Sequence, residues 1–166
     1  MFKEGDYIMY SNYGACLVQE ICEKTIDKQS NIYYVLVPIN QANSRIMTPV
    51  DNKKVSMRAL MSLEEAEEIL SKFSADSIQL ISDRKKREKV YSDMLKEGDP
   101  IDLAEIIAAL IIEEHNRTEE GKTFPATDKK LLEKAEKLLY SELSVIYNED
   151  YDEIKNKVTD LIKEKV

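Results

Sequence analysis

MRALMSLEEAEEILSKF, residues 57–73, holds the point at which one residue alphabet gives way to another. Ser62 followed three positions later by Glu65 is a capping box, in which each side chain satisfies a backbone N–H that the first helical turn leaves unpaired. Leu63, Ala66, Ile69, Leu70 and Phe73 then recur at helical spacing. Through Ser62 the chain carries 7 Lys and Arg against 6 Asp and Glu, and it is rich in Tyr, Val, Ile, Gly and Pro. From Leu63 onward it carries 17 basic and 26 acidic residues, and Leu, Ala, Glu and Lys dominate. β-Branched and aromatic side chains suit a pleated, half-buried surface, whereas the second alphabet favours helix. The chain therefore reads as α+β, with a β domain over residues 1–60 and a helical domain over residues 61–166.

Towards the N-terminus, Tyr7 to Tyr10 and Ala15 to Glu23 are strands separated by Ser11-Asn12-Tyr13-Gly14, where Asn and Gly tolerate positive φ. Asp27 to Asn31 is a second polar turn, followed by strands at Ile32 to Val37 and at Ser44 to Thr48 before Pro49, which cannot continue a central ladder. A last short strand is expected near Val55. Four or five short strands in this span are too few for a sandwich, so a small SH3-like or Tudor-like barrel is the economical fold.

Towards the C-terminus, four to five helices follow one another. After a looser stretch at Ser74 to Ser77, a helix starting near Ile78 or Asp83 carries Val90, Tyr91, Met94 and Leu95 inward and ends at Gly98. Asp99 as N-cap and Pro100 at the first helical position open the next, whose Ile101 to Ile112 is apolar almost all round and reads as the buried centre of a bundle. Thr127 opens a helix with an inward stripe of Leu131, Leu132, Ala135, Leu138, Leu139, Leu143 and Ile146. Asp150 and Glu153 repeat the capping box before Tyr151, Ile154, Val158, Leu161 and Ile162.

Several function classes are disfavoured. The four glycines stand at 5, 14, 98 and 121, so neither a G-x-x-x-x-G-K-[ST] loop nor a G-x-G-x-x-G turn can be assembled. His115 is the only histidine, and it sits in a polar helix end without a nucleophile motif. Paired acids such as Glu64-Glu65, Glu67-Glu68 and Glu119-Glu120 fit a solvated helix face better than acid–base work. Cys16 and Cys22 lie in an extended segment, about 20 Å apart at roughly 3.3 Å per residue, too far for a disulfide. The N-terminus lacks a signal-peptide pattern, and the longest apolar run is about half of the roughly 20 residues a membrane span needs. The expectation is a cytoplasmic, non-enzymatic protein with no cofactor and no metal.

One charge feature stands out. Arg84-Lys85-Lys86-Arg87-Glu88-Lys89 packs five cations into six positions of a strongly acidic half. The overall formal charge of -8 repels phosphate, yet a local block of this kind can neutralise several phosphates of a nucleic acid.

Phe2 to Tyr10, Tyr13 to Val18, Tyr33 to Leu36, Arg45 to Val50, Arg58 to Ser62, Leu95 to Asp99 and Leu103 to Ile107, in that order and spacing, resemble CarD/CdnL-type bacterial transcription regulators. The resemblance covers nearly the whole chain. It implies an N-terminal Tudor-like domain, shared with transcription-repair coupling factor, that binds the β subunit of RNA polymerase through an exposed strand edge and basic residues. The matching positions are Lys24 and the strand Arg45, Ile46, Met47 and Thr48, with Met47 where some members have Arg. It also implies a helical domain that touches promoter DNA at the upstream fork of the melting bubble through Arg84, Lys85, Lys86 and Arg87, and stabilises the open complex by a wedge. The family places a Trp fourteen residues before the glycine that is Gly98 here, a position held by Arg84. Lys86 and Arg87 take the following Arg-Arg positions, and Glu88 replaces an aromatic. This chain has no Trp, so the apolar wedge is missing. The resemblance thus implies a regulator that modulates open-complex stability, with promoter contact carried by charge. The alternative is an adaptor that docks on RNA polymerase or another strand edge without touching DNA. Oligomeric state is open, since edge strands and the leucine-rich fourth helix could pair between copies.

Overall fold

Among the described residues five strands and five α-helices follow one another without intermixing: β1 (Tyr7–Tyr10), β2 (Gly14–Ile26), β3 (Gln29–Pro38), β4 (Ile46–Pro49), β5 (Met57–Ala59), then α1 (Leu63–Lys72), α2 (Arg84–Glu97), α3 (Pro100–Glu119), α4 (Ala126–Tyr147) and α5 (Tyr151–Lys163). The structure is a computed structural model that describes every residue except Ala75, Ser77 and Lys165, so the looser stretch expected at Ser74 to Ser77 lies partly outside the described residues. The chain divides into two compact units, Met1–Leu60 and Met61–Val166.

In the first unit the strands form one antiparallel sheet in the order β4-β3-β2-β1-β5, which leaves β4 and β5 at its edges. The link from β1 to β2 is a short 3-10 turn at Ser11–Tyr13, and its positive φ falls on Ser11 and Gly14 rather than on Asn12. Gly14, at φ 80 and ψ -148, occupies a region that only glycine enters readily. The second turn is tighter than the expected Asp27 to Asn31. Asp27 and Lys28 alone make it, both at positive φ, as a two-residue hairpin turn of the right-handed twist requires. The last strand, β5, lies two residues beyond Val55, which packs against the core instead.

Ile8, Tyr10, Cys16, Val18, Tyr34 and Leu36 form the core of this unit. The alternation along β2 is interrupted between Val18 and Glu20, where Gln19 is an extra residue against β3. On the other side of β2 the N-terminal segment extends the pairing with β1: Gly5 N–H donates to Val18 O at 2.8 Å and Val18 N–H donates to Asp6 O at 2.8 Å. Before the bulge the even positions Cys16 and Val18 face the core; after it the odd position Ile21 does, paired with Tyr34. Lys24 is thereby placed on the outer face.

The second unit is a helical bundle. Local capping sets most of its helix starts, as the sequence implies: the Ser62/Glu65 and Asp150/Glu153 boxes are both formed, Asp99 accepts from Ile101 N–H, and Gly98 closes α2 in the left-handed conformation. α2 begins from Asp83 rather than Ile78. α4 starts one residue before Thr127, with Pro125 at its N-cap and no side-chain cap. α3 packs most extensively on α4. Leu103, Ile106, Ile107 and Leu110 of α3 and Leu139 and Leu143 of α4 are fully buried, each such side chain stabilising the fold by about 1.5–3 kcal/mol. Two expected core residues face out: Leu63 is 54% exposed and Ile101 is exposed, both in first turns that project from the packed surface.

The inward face of α4 is not purely apolar. Asp128, Glu136, Ser141, Glu142 and Ser144 are buried among its leucines. Glu142 accepts a 2.7 Å hydrogen bond from Met61 N–H and so fixes the lead into α1. Glu136 is 4% exposed; its Oε2 lies 3.4 Å from Lys155 Nζ of α5 but outside hydrogen-bond geometry. Desolvation raises the Glu136 pKa above the usual glutamate range, and the Lys155 ammonium offsets only part of the shift. The folded state therefore holds this proton more tightly than the unfolded chain does, and stability falls as pH rises from the unfolded to the folded pKa. Glu136→Gln removes that titration. The variant is expected to unfold at a higher temperature than the parent at pH 7, with the gap narrowing as pH falls and closing below the unfolded glutamate pKa of about 4.3, where the group is protonated in both states. Thermal unfolding across a pH series checks this, and a gap independent of pH would sink the explanation.

Candidate functional site

The expected site residues fall into two groups, one in each unit. In the first, side chains alternate along the edge strand. Ile46 is half-buried against the core, and Thr48 is buried with its hydroxyl accepting from Asn52 Nδ2 at 3.0 Å. Neither side chain is presented to a partner. Arg45 and Met47 point outward, and Met47 is 41% exposed. Arg45 Nη1 donates to Ala42 O at 2.7 Å and to Ser44 O at 2.9 Å, which holds the guanidinium beside the strand. Lys24 reaches across the outer face to Met47, its Nζ 3.5 Å from Sδ. The structure thus brings Lys24 and Met47 together, although they lie on strands separated by β3. Val35, paired with Met47, and Cys22, paired with Tyr33, extend this face as half-buried, largely apolar surface, with Cys22 a free thiol. β4 itself has no strand on its far side in the sheet. Unpaired edge groups of this kind are a template for a further strand.

The second group is the first turn of α2. Asp83 caps it, accepting from Lys86 N–H at 2.7 Å. Arg84, Lys85, Lys86 and Lys89 are exposed, while the first turn holds no acidic residue. Cations here oppose the positive end of the helix dipole, at a cost of about 0.3–1 kcal/mol each at low salt. Helix stability does not account for them; a bound anion would, because the N-terminus and the side chains then act on it together.

Arg87 corrects the sequence reading. The sequence groups it with its neighbours as a DNA contact, but it is 1% exposed and is the largest fully buried side chain of the protein. Nε and Nη2 form a fork onto Asp128 Oδ1 and Oδ2 at 3.0 and 2.5 Å, and Nη1 donates to Ile81 O at 2.7 Å. The hydrogen bond to Asp128 raises the guanidinium pKa despite desolvation, so the charge is held. A sequence signal for this exists: Arg87, Tyr91 and Leu95 repeat at four-residue spacing, on one buried stripe. Asp128, the partner that reasoning from sequence misses, stands in line with Leu131, Leu132 and Ala135. Between the first turns of α2 and α4 lies a notch of about 330 Å³ lined by Arg84, Lys85, Glu88, Thr127 and Asp128.

No cluster of three or more His, Cys, Asp or Glu placed to hold a metal occurs among the described residues, and His115 is exposed near the end of α3. No helix of the described residues is long and apolar enough to cross a membrane.

With both sites placed, comparison with known proteins is direct. The family described as CarD, C-terminal domain, matches residues 68–159, more than half the chain. The chain belongs to the CarD-like family. The CarD-like/TRCF RID domain matches residues 2–61, so the Tudor-like β unit and the helical unit each have their counterpart in this family. A CarD-like relative over nearly the full length is the Bacillus subtilis (strain 168) protein named "Putative transcription factor YdeB", 29% identical over 147 residues that cover 88% of this chain and 92% of that protein. Membership of the CarD-like family carries a transcription-associated role.

Removing Arg87 would leave Asp128 buried without its countercharge. Arg87→Ala is expected to cost about 3–5 kcal/mol, as loss of one partner of a buried pair does. Urea unfolding measures it, and a loss below about 1 kcal/mol would show that the pair is not held as described.

Proposed function

We propose that the protein is a non-enzymatic transcription regulator that binds the β subunit of RNA polymerase through residues 1–60 and contacts promoter DNA through residues 61–166, modulating the stability of the open complex. In the first unit, the free edge of β4 docks by adding its backbone to a strand of the polymerase, with Lys24, Arg45 and Met47 supplying side-chain contacts. Ile46 and Thr48 contribute there through the backbone alone. In the second unit, Arg84, Lys85, Lys86 and Lys89 bind the phosphate backbone. The observation that carries the DNA contact is the set of exposed cations at the start of α2, placed where the helix dipole makes them costly unless an anion is bound.

Without a Trp, this member has no apolar side chain at the family's wedge position to occupy the space beside an unstacked base step. Promoter contact here is electrostatic, less dependent on base sequence and more dependent on salt. A second reading, an adaptor that docks on polymerase without touching DNA, is favoured by the excess of acid in the helical half.

A variant with Arg84, Lys85, Lys86 and Lys89 all changed to Ala separates the two. If DNA is contacted, the polymerase–promoter complex should bind the variant more weakly, and the slope of log affinity against log salt should fall by up to about four, roughly one for each phosphate no longer neutralised. A slope equal to the parent's would leave the adaptor. On the other unit, Lys24→Glu with Met47→Asp is expected to weaken association with polymerase about tenfold or more, measured by binding the full chain to the isolated β lobe. An unchanged affinity would move the docking surface elsewhere.

A further inference from the structure

We infer that Arg87, which can touch no phosphate from its buried position, is the positioning residue for the cations around it: the Arg87–Asp128 pair sets the rotation of α2 about its axis and holds the first turns of α2 and α4 on either side of a phosphate-binding notch. The inference rests on the DNA-contacting reading above and assigns the means by which that surface is organised.

The argument begins with where α2 is anchored. Its buried side chains are Arg87, Tyr91 and Leu95. Tyr91 and Leu95 lie one and two turns beyond the cations, so among these three only Arg87 ties down the turn that carries Arg84, Lys85 and Lys86. A helix advances about 100° per residue, so a rotation of that turn by one residue's worth would exchange the exposed and buried positions. Arg87 prevents it with hydrogen bonds in different directions, two to Asp128 on α4 and others to the carbonyls of Ile81 and Ser82 before the helix. A planar guanidinium forked onto a carboxylate fixes orientation as well as distance, which an apolar contact or a lysine does not.

The partner is equally well placed. Asp128 sits in the first turn of α4, where the helix dipole favours its charge, and it lines the notch between the two helix starts, while Arg87 holds it from behind. The notch is lined by Arg84 and Lys85 from α2 and by Thr127 from α4. Arg87 neutralises Asp128, so the carboxylate beneath the notch does not repel a phosphodiester arriving there. Glu88 also lines the notch and opposes an anion there, so binding a phosphate needs the charges of both Arg84 and Lys85.

The test uses the full chain and a mixed-sequence DNA duplex of about 30 base pairs, with affinity followed from low to moderate salt. Asp128→Asn offers one acceptor where the fork needs two and makes the chain more positive by one charge. Plain electrostatics predicts tighter binding. Positioning predicts binding about five- to tenfold weaker, with a salt slope smaller by about one or more. Binding as tight as the parent's, or tighter, with an unchanged slope overturns the inference. The slope is the deciding readout because partial unfolding scales the affinity by the folded fraction without changing the number of phosphates contacted. Should Asp128→Asn fail to fold, Arg87→Met with Asp128→Leu replaces the pair by apolar side chains of similar size, a change that commonly preserves stability. That folded double variant is also expected to bind more weakly with a shallower slope; parent-like binding overturns the inference. Arg84→Ala with Lys85→Ala, which leaves the pair intact, tests the underlying reading separately. If the parent itself fails to bind the duplex, the DNA reading falls and this inference with it, whereas weakened binding on Arg84→Ala/Lys85→Ala with parent-like binding on Asp128→Asn removes the inference alone.

Discussion

Arg87 and Asp128 are ionised groups in an apolar interior, and much of the helical unit is arranged to keep them paired. Taking either charge out of water costs several kcal/mol, and the attraction between them repays that only when geometry is good and the remaining donors are satisfied. Here the fork uses both carboxylate oxygens, and the third donor finds the Ile81 carbonyl. The pair joins residues 41 positions apart and connects the lead into α2, α2 itself and the start of α4. A hydrophobic contact in its place would hold the helices together as firmly but would tolerate several rotations. The ion pair tolerates one.

That distinction explains how an acidic unit can present a basic face. The excess of carboxylates from Leu63 onward does not cancel the island at Arg84 to Lys89, because exposed charges more than about 8–10 Å apart are largely screened at physiological salt. What matters is which cations leave the surface and which stay. One of the five is withdrawn to organise the others, and Asp83 is drawn to the backbone as a cap instead of pairing with them. Of the remaining four, Arg84, Lys85 and Lys86 stand against the helix dipole in the first turn, a local conflict of the kind expected where function rather than folding has set the residue.

The parts of this structure legible in the sequence are those decided within a few residues. Ser62 with Glu65, Asp99 with Pro100, Asp150 with Glu153, and Gly98 mark helix ends because the groups they satisfy are one turn away. The class and the change of architecture near residue 60 follow from composition, since strand-forming and helix-forming residues are segregated. What fails depends on distant partners. The burial of Arg87 is settled by Asp128, and a block of cations read alone gives no reason to separate one from the rest. Thr127 resembles a cap, yet Pro125 takes the position and leaves that start uncapped. Leu63 satisfies the helical period but stands in the first turn of its helix, more than half exposed. On the β unit, the family resemblance groups Thr48 with Arg45 to Met47 as a contact position, and only the register of β4 against β3 shows it facing the core with Tyr34.

The bulge at Gln19 gives the outer face of the sheet a property that no substitution table would reveal. Side chains beyond it are assigned to faces by counting from the bulge, so the position of Lys24 beside Met47 is a matter of parity. Deleting Gln19 would remove the bulge and leave every pairing beyond it as it is, with Ile21 still opposite Tyr34 and Lys24 still on the outer face, whereas straightening the strand with Gln19 kept would turn Lys24 towards the core. For this hairpin the bulge absorbs a difference in length of one residue without changing which side chains share a face, so alignments of such proteins by residue identity should first place the bulge.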